Sequence, residues 1–388
     1  MPVIERINHY QNELVAIRHD LHAHPEIGFE EVRTSNIVAD LLEKWGITVH
    51  RGIGGTGVVG ELKGRHDGNR RIGLRADMDA LPIQEETGLP YASTAPGKMH
   101  ACGHDGHTTI LLGAARYLAE TRDFAGTAVF VFQPAEEGLG GARAMLQDGL
   151  FKKFPCDEIY GLHNAPNRKP GRVAVFPGAA MAGADFFDFH IKGRGSHGAR
   201  PNEARDPIIA AVAVAQALQT IVSRNNHPRT PLVVSVTQIH AGSAYNVIPA
   251  DATISGTVRA FSDDARALVR KRMKEIAAGV AATYGVDVEV SSRDIFTVLE
   301  NHPEQTEAYA DVAREIVGDE NLSTAVEPVM GSEDFADMLR VTPGAYCWVG
   351  HACDKPVHNP EFVFDDAIIP IGASLMARIV ERRLSPSR

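Results

Sequence analysis

The sequence has no uninterrupted run of roughly 18 apolar residues, the length that a membrane-spanning helix needs. Its 388 residues include 39 Lys or Arg and 49 Asp or Glu, which gives a net charge of −10 with no long block of one sign. This balance argues against nucleic acid or an anionic membrane as a main partner. Residues 1–26 are polar and periodic, which indicates an amphipathic helix rather than a signal peptide, so we expect a cytoplasmic protein.

Cysteine is scarce, with four residues in the chain: Cys102, Cys156, Cys347 and Cys353. So few cysteines in a long chain without a secretory signal do not make a disulfide framework. Three of them are expected to be small buried hydrophobic residues. Cys102 lies among polar residues and is therefore a candidate for metal binding or catalysis.

The length favours two domains over one. Up to about residue 180, predicted strands and helices alternate, which is typical of an α/β layer with a mostly parallel sheet flanked by helices. The predicted order between residues 183 and 296 is βαββαβ, the ferredoxin-like unit. The α/β pattern returns after about residue 297. We therefore predict a discontinuous larger domain, 1–182 and 297–388, and an inserted smaller domain, 183–296.

A dense cluster of metal-ligand residue types lies between Met99 and His107, where the chain has the sequence Met-His-Ala-Cys-Gly-His-Asp-Gly-His. Such density is costly in a buried core, because each polar group there needs a partner. A divalent cation satisfies thiolate, imidazole and carboxylate together, since all three give up protons to bind it. The segment is therefore predicted to form half of a metal site.

Residues of the same types follow predicted strands elsewhere in the chain. The carboxyl ends of parallel strands meet at one edge of a sheet, where ligands bind. The adjacent Glu136 and Glu137 should point in different directions, so that one binds metal while the other serves as a base. A solvated acidic turn is the alternative for this pair alone. The segments that follow predicted strands are Arg75–Asp79, Gln133–Gly138 and Gly161–Asn164, and a fourth segment with such residues, Val357–Pro360, lies near the C-terminus.

These motifs together resemble those of the M20 metallopeptidase family. The most similar branch contains the hippurate hydrolases and the indole-acetyl-amino-acid hydrolases, and the resemblance runs from His24-Pro25-Glu26 to His358. It implies a zinc-peptidase-like catalytic domain with an inserted lid and dimerisation domain, and hence a homodimer. It also implies two divalent metal ions per chain.

The resemblance implies a bridging role for Cys102 between the two ions. One ion would be held by Cys102, Glu137 and His358, and the other by Cys102, His104 and His163. The donor types suit Zn²⁺ or Mn²⁺ and also admit Co²⁺ or Ni²⁺. Asp77 resembles a carboxylate that orients a ligand imidazole, with a salt bridge at the strand end as the alternative.

The same resemblance assigns catalytic and binding roles. Glu136 resembles the general base, which would deprotonate a metal-bridging water and pass the proton to the leaving amine. His197 resembles a stabiliser of the oxyanion, with a solvated loop histidine as the alternative. Asn246 and Arg259 would bind the substrate carboxylate or serve a structural role. Glu333 and Asp334 either line the pocket or cap a helix.

The predicted function is that of a dimetal amidohydrolase. It would cleave an N-acyl-amino acid, such as a hippurate-like, acetyl or aryl-acyl conjugate, to a carboxylic acid and a free amino acid. A carboxypeptidase or dipeptidase would use the same fold and chemistry. Two further alternatives are a cysteine hydrolase with Cys102 as nucleophile and a non-catalytic metal-binding protein.

Overall fold

The computed structural model describes residues 3–386 and divides them into two compact units. The larger unit comprises the chain up to Gly178, Glu300–Glu327 and the chain from Asp334 onward. The smaller unit comprises Ala179–Leu299 and Pro328–Glu333. The borders lie within a few residues of the predicted 1–182, 183–296 and 297–388, but the return of Pro328–Glu333 to the insert has no counterpart in the prediction.

The described elements are numbered in chain order. The helices are α1 (Glu5–Asn8), α2 (Gln11–Ala23), α3 (Val32–Lys44), α4 (His104–Thr121), α5 (Gly141–Gln147), α6 (Leu150–Lys153), α7 (Pro207–Thr220), α8 (Asp263–Tyr284), α9 (Pro303–Val317), α10 (Phe335–Leu339) and α11 (Ile369–Arg383). The strands are β1 (Thr48–Ile53), β2 (Gly57–Lys63), β3 (His66–Asp77), β4 (Ala125–Gln133), β5 (Glu158–Ala165), β6 (Val173–Ala174), β7 (Gly178–Met181), β8 (Gly183–Lys192), β9 (Ser196–His197), β10 (Leu232–Ala241), β11 (Val247–Ile248), β12 (Asp251–Ala260), β13 (Asp287–Phe296), β14 (Leu299–Asn301), β15 (Leu322–Ser323) and β16 (Gly344–Gly350).

The larger unit contains an eight-stranded mixed sheet in the order β1-β2-β4-β3-β5-β16-β6-β15. Its centre is parallel, because β3 pairs with β4 and β5, and β5 pairs with β16. The predicted α/β class is confirmed. The parallel pairing places the ends of β3, β4 and β5 at the same edge of the sheet, where the candidate residues follow.

Helix α4 is buried along most of its length, and all its residues from His104 to Ala115 are inaccessible to solvent. Gly103 turns the chain into this helix with a left-handed backbone (φ +91°), which glycine adopts without strain. The Cβ of any other residue at position 103 would lie only 2.5 Å from Nδ2 of Asn164. The turn therefore places Cys102 immediately before the helix and His104 at its first residue.

The smaller unit has the predicted βαββαβ order, with a four-stranded antiparallel sheet β10-β12-β8-β13 and helices α7 and α8. Phe187, Phe189 and Ile191 of β8 are buried in its core, as their alternation with polar residues predicts. Helix α7 begins as predicted, because the Asp206 carboxylate accepts from the backbone N–H of Ile208 at 2.8 Å and Pro207 is the first helical residue.

Within residues 3–386, the segment Pro207–Asn225 is long and apolar enough to cross a membrane, by length and composition alone. One such helix is weak evidence, since core helices of water-soluble proteins meet the same criteria. Here Ala211, Val214 and Leu218 are buried in the core of the smaller unit. The segment therefore packs as a helix against a sheet.

Candidate metal centre

The predicted ligands converge in the larger unit. Sγ of Cys102 lies 3.4 Å from Nε2 of His163 on β5. Oε1 of Glu137, after β4, lies 3.1 Å from Nε2 of His358 and 3.9 Å from Nε2 of His104. The structure thus brings together side chains from positions 102 to 358 of the chain.

These five residues form two overlapping donor sets. The ligand atoms of Cys102, His104 and His163 lie within 4.8 Å of one another, and so do those of Cys102, Glu137 and His358. Cys102 belongs to both sets, so it would serve both ions if two were bound. These two donor sets are the ones that the resemblance to M20 enzymes implies for the two metal ions.

Two buried donor atoms in this cluster lack hydrogen-bond geometry to any residue that the structure describes. They are Nε2 of His104 and Oε1 of Glu137. An unpaired buried polar atom costs free energy, and a bound cation removes that cost. Thiolate, imidazole and carboxylate are the donors that divalent transition metals prefer, so these residues fit divalent metal ions.

Neighbouring groups fix the orientation of two of the imidazoles. Nδ1 of His163 lies 2.6 Å from the backbone oxygen of Asn164, to which it donates its proton. Nδ1 of His104 lies 3.1 Å from Oδ1 of Asp79. In each ring the other nitrogen, Nε2, faces the donor set, as in many metal-binding histidines.

Asp77 contacts His107 and Arg75, and neither of these is a predicted metal ligand. Its Oδ1 is 2.7 Å from Nδ1 of His107, and its Oδ2 accepts from Arg75 at 2.8 Å. Its Oδ2 is 3.9 Å from Nε2 of His104, too far for a hydrogen bond. Asp79, two residues further on, contacts His104 instead. Its role as a carboxylate that orients a ligand imidazole stays a prediction.

Asp79, His107 and Asn164 are functional candidates that sequence reasoning did not single out. Nε2 of His107 accepts from the backbone N–H of Asn164 at 3.0 Å, and the Asn164 side chain donates to the backbone oxygen of Cys102 at 2.6 Å. Through these bonds His107 and Asn164 connect Cys102 with β5. All three residues lie inside the sequence segments quoted above, and this position was the signal that could have identified them.

Burial and close contacts shift the pKa values of several residues in the two donor sets. Burial raises the pKa of the Cys102 thiol, and the nearby Glu137 carboxylate adds to the effect. Close contacts with Cys102 and Glu137 raise the pKa of His358 to about 10. Burial lowers the pKa of His163, and the neighbouring His107 lowers it further. The thiol and His358 must therefore release protons when a cation binds.

Glu136 and Glu137 diverge as predicted for adjacent residues in a loop. Oε1 of Glu136 lies 3.4 Å from the backbone N–H of Asp334, whereas Glu137 faces His358. A carboxylate oxygen of Glu136 is nevertheless within 4.8 Å of the donor atoms of His104 and Glu137. Glu136 is buried and belongs to neither predicted ligand set.

The Asp334 carboxylate binds the chain on both sides of the Glu136 loop, and one of its partners is an N–H group in the first turn of helix α5. Its carboxylate accepts from Gln133 Nε2 at 2.6 Å and from the Ala142 N–H at 2.9 Å. It makes no capping bond to helix α10, which begins at the next residue. The bonds join the chain before and after the Glu136 loop.

The three candidates in the smaller unit lie on its loops and sheet. His197 is exposed on β9, and its Nδ1 accepts from the Ala199 N–H at 3.1 Å. Asn246 is exposed, and its backbone oxygen accepts from the Gly198 N–H at 2.7 Å. Arg259 is half-buried on β12 and donates to Thr257 Oγ1 at 3.0 Å. The segments that carry His197 and Asn246 are thus hydrogen-bonded to each other. The catalytic and binding roles of all three residues stay predictions.

A family model described as peptidase family M20/M25/M40 matches residues 73–382. The chain belongs to this family. Hippurate hydrolase of Campylobacter jejuni is 42% identical and covers 99% of this chain and 100% of its own. N-acetylcysteine deacetylase of Bacillus subtilis is 39% identical over 95% of this chain and 96% of its own.

Solved structures of the M20 family agree with the architecture. The YXEP protein of Bacillus subtilis, described as a dinuclear metal-binding peptidase, is 36% identical, has a TM-score of 0.85 and covers 97% of this chain and 99% of that one. The family predicted from the motifs is confirmed. This M20 chain is a metal-dependent amidohydrolase that uses divalent metal ions.

Proposed function

We propose that this chain hydrolyses the amide bond of N-acyl-amino acids, giving a carboxylic acid and a free amino acid. Hippurate-like and acetyl or aryl-acyl conjugates are the proposed substrates. The observation that carries the proposal is the position of Glu136, a buried carboxylate beside two donor residues but outside both ligand sets. A protein that only binds metal has no need of such a base.

The donor sets are proposed to hold two divalent ions, Zn²⁺ or Mn²⁺, with Co²⁺ and Ni²⁺ also compatible. When bound, such ions supply Lewis acidity at the scissile carbonyl and lower the pKa of water toward neutrality. Glu136 accepts the proton of the attacking water on its carboxylate and then delivers it to the nitrogen of the leaving amine. Both proton transfers use the same oxygen atoms, so no second acid is required.

For three residues of the smaller unit, the proposal keeps the roles that the resemblance implies. His197 donates a hydrogen bond to the oxyanion that forms from the amide carbonyl. Arg259 and Asn246 bind the carboxylate of the amino-acid part through charge-assisted and neutral hydrogen bonds. Burial lowers the pKa of Arg259, but its guanidinium still carries its charge at neutral pH.

A cysteine-hydrolase mechanism fits the site poorly. The nucleophile of such an enzyme is a thiolate, usually obtained by lowering the pKa of the cysteine. Burial raises the pKa of Cys102 instead. His163, at 3.4 Å, is itself a member of the donor set, with a lowered pKa.

The deciding experiment compares the neighbouring variants Glu136→Gln and Glu137→Gln in hydrolysis of N-benzoylglycine and N-acetyl-amino acids. Glu136→Gln should retain wild-type metal content and lose about 10²–10⁴-fold in kcat. Glu137→Gln should lose metal. Turnover retained in the metal-loaded Glu136→Gln protein would refute the proposed base.

A substrate screen separates the proposal from its variant, a carboxypeptidase or dipeptidase with the same chemistry. Unblocked dipeptides and longer peptides are assayed beside the N-acyl-amino acids, because both groups offer an amide and a free carboxylate. A higher kcat/KM for N-acyl-amino acids supports the proposal. Preference for peptides with a free amino group would favour the peptidase.

We also propose that the protein is a cytoplasmic homodimer that pairs through the smaller unit. Ile209 and Val212 on α7 and Val247 on β11 are exposed there, and exposed large apolar side chains favour association. Light scattering coupled to gel filtration tests the assembly. A wild-type monomer at micromolar concentration would refute it, and Val212→Lys should weaken a dimer without altering metal content.

A further inference from the structure

A buried carboxylate outside both ligand sets contacts the loop that carries Glu136. Oε1 of Glu31 accepts from the backbone N–H of Ala135 at 2.8 Å, and its Oε2 accepts from the Thr56 hydroxyl at 2.5 Å. Glu31 is completely buried. It lies at the start of α3, in a stretch whose part in the chemistry is so far unassigned.

Ala135 has a left-handed backbone with φ +54°, which is unfavourable for a residue with a Cβ. Such a conformation is strained and persists only where the surroundings impose it. One constraint is the bond to Glu31. Another is Gly28, where an added Cβ would lie 2.8 Å from Cα of Ala135. The segment around Glu31 thus holds the residue before Glu136 from two sides.

The peptide on the other side of Glu136 is held in the same way. The backbone N–H of Glu137 donates to Oδ2 of Asp79 at 3.0 Å. The N–H groups before and after Glu136 are therefore both bound by buried carboxylates on separate segments of the chain. Asp79 orients the half of the loop that supplies a metal ligand, and Glu31 contacts the half that leads to the base.

We propose that Glu31 is a positioning residue, which fixes the backbone at Ala135 and thereby the direction of the Glu136 carboxylate. The proposal rests on the function proposed above for Glu136. A displacement of about 1 Å in a reacting group lowers rates by as much as about 10²-fold, so a loose loop would be felt in kcat. Metal binding should be affected less, because Asp79 holds Glu137 independently.

The bond to Ala135 needs an acceptor oxygen rather than a charge. Burial and the nearby Asp79 raise the pKa of Glu31 to about 7, although the bonds from Thr56 and Ala135 oppose the shift. A glutamine keeps one oxygen for the Ala135 N–H, and its amide can donate to the Thr56 hydroxyl. Glu31→Gln should therefore restore what Glu31→Ala loses.

The control variant is Glu26→Ala in the same segment. The Glu26 carboxylate accepts from the backbone N–H of Arg33 and Thr34 at 2.9 and 2.8 Å, and so caps α3 without touching Ala135. Its loss should lower the midpoint of thermal unfolding and leave kcat near wild type. The comparison separates positioning of the loop from destabilisation of the segment.

The experiment measures kcat, KM, metal content and amide exchange of Ala135, the last by NMR on the Zn²⁺-loaded protein. Glu31→Ala should lower kcat ~10–100-fold with KM and metal content unchanged, and should speed exchange at Ala135 but not at Glu137. Glu31→Gln should return kcat and exchange most of the way to wild type. Wild-type kcat, or an unchanged exchange rate at Ala135, in Glu31→Ala would overturn the proposal.

If Glu31→Ala does not fold, Gly28→Ala displaces Ala135 from the opposite side and leaves Glu31 in place. It should lower kcat and alter exchange at Ala135 with metal retained, and a folded Gly28→Ala protein with wild-type kcat would overturn the proposal. Failure of the underlying function has a different signature. It would appear as turnover in Glu136→Gln, whereas the exchange rates at Ala135 report on the Glu31 contact alone.

Discussion

Asp79 contacts two members of the donor set at once. Its Oδ1 lies 3.1 Å from Nδ1 of His104, and its Oδ2 accepts the backbone N–H of Glu137 at 3.0 Å. The carboxylate is buried, so water cannot replace either contact easily. One side chain therefore sets both the ring orientation of a ligand and the path of the loop that supplies another.

Replacement of Asp79 by asparagine should weaken metal binding about 10–100-fold. Asparagine offers one oxygen where the site requires two acceptors, so either His104 or Glu137 loses its partner. Competition with a chromophoric chelator measures the dissociation constants.

Asp157→Asn is the matched control for Asp79→Asn. Oδ2 of Asp157 also accepts a backbone N–H, that of Arg71 at 2.7 Å, but Asp157 contacts no member of the donor set. It should leave the affinity unchanged. Equal metal affinities of Asp79→Asn and wild type would show that Asp79 does not orient the ligands.

Metal affinity should rise with pH between 6 and 9. The pKa of His358 is raised to about 10 and that of the Cys102 thiol is raised by burial, so both groups hold protons in the metal-free protein at neutral pH. Each proton that binding displaces adds a roughly tenfold gain in affinity per pH unit. Chelator competition at several pH values measures the slope.

Chelation of the metal should abolish hydrolysis, and added Zn²⁺ or Mn²⁺ should restore it.

His358→Asn serves as a comparison for the pH dependence of metal affinity, since it removes one of the displaced protons and should give a shallower slope. An affinity independent of pH would contradict the protonation states described here. Hydrolysis that survives complete metal removal would contradict the metal requirement itself.

Much of the site could be predicted because most of its residues lie in short segments that directly follow predicted strands. The strand ends at Asp77, Gln133 and Ala165 are marked by apolar runs followed by polar residues, and parallel pairing brings such ends to one edge. The grouping of Cys102 with His358 needed the resemblance, since no periodicity connects positions so far apart. The structure then supplied the distances.

The contact of Asp79 with His104 was not predictable in the same way. Asp77 is the last residue of β3, and beyond it the alternation of strand side chains no longer applies. Which of the two carboxylates meets His104 depends on the course of the chain after the strand ends. The return of Pro328–Glu333 to the smaller unit was also missed. Backbone bonds of Val329 with Ala180 and Ala182 produce it, and these carry no side-chain signal.

Asp105 of helix α4 belongs to a second network of buried charged side chains, which it forms with residues from other parts of the larger unit. Nδ1 of His22 is 2.8 Å from Oδ2 of Asp105, and its Nε2 is 3.3 Å from Oε1 of Glu85. The Arg18 guanidinium also donates to Asp105, at 3.0 Å. Burial alone would lower the pKa of His22, but the two carboxylates outweigh it and raise the value to about 9.

This shift makes stability depend on pH. Because the folded pKa of His22 exceeds the unfolded value of 6.5, the charged imidazole stabilises the fold fully below about pH 6.5, and the contribution is lost as pH rises to about 9. His22→Asn removes the titrating group. The difference in unfolding free energy between wild type and His22→Asn should therefore shrink by about 1–3 kcal/mol across that window, as measured by urea unfolding at fixed metal saturation. His24→Asn, two residues away and exposed, is the control for replacing a histidine in this segment. A gap for His22→Asn that stays constant or widens with pH would show that His22 is not charged in the folded protein.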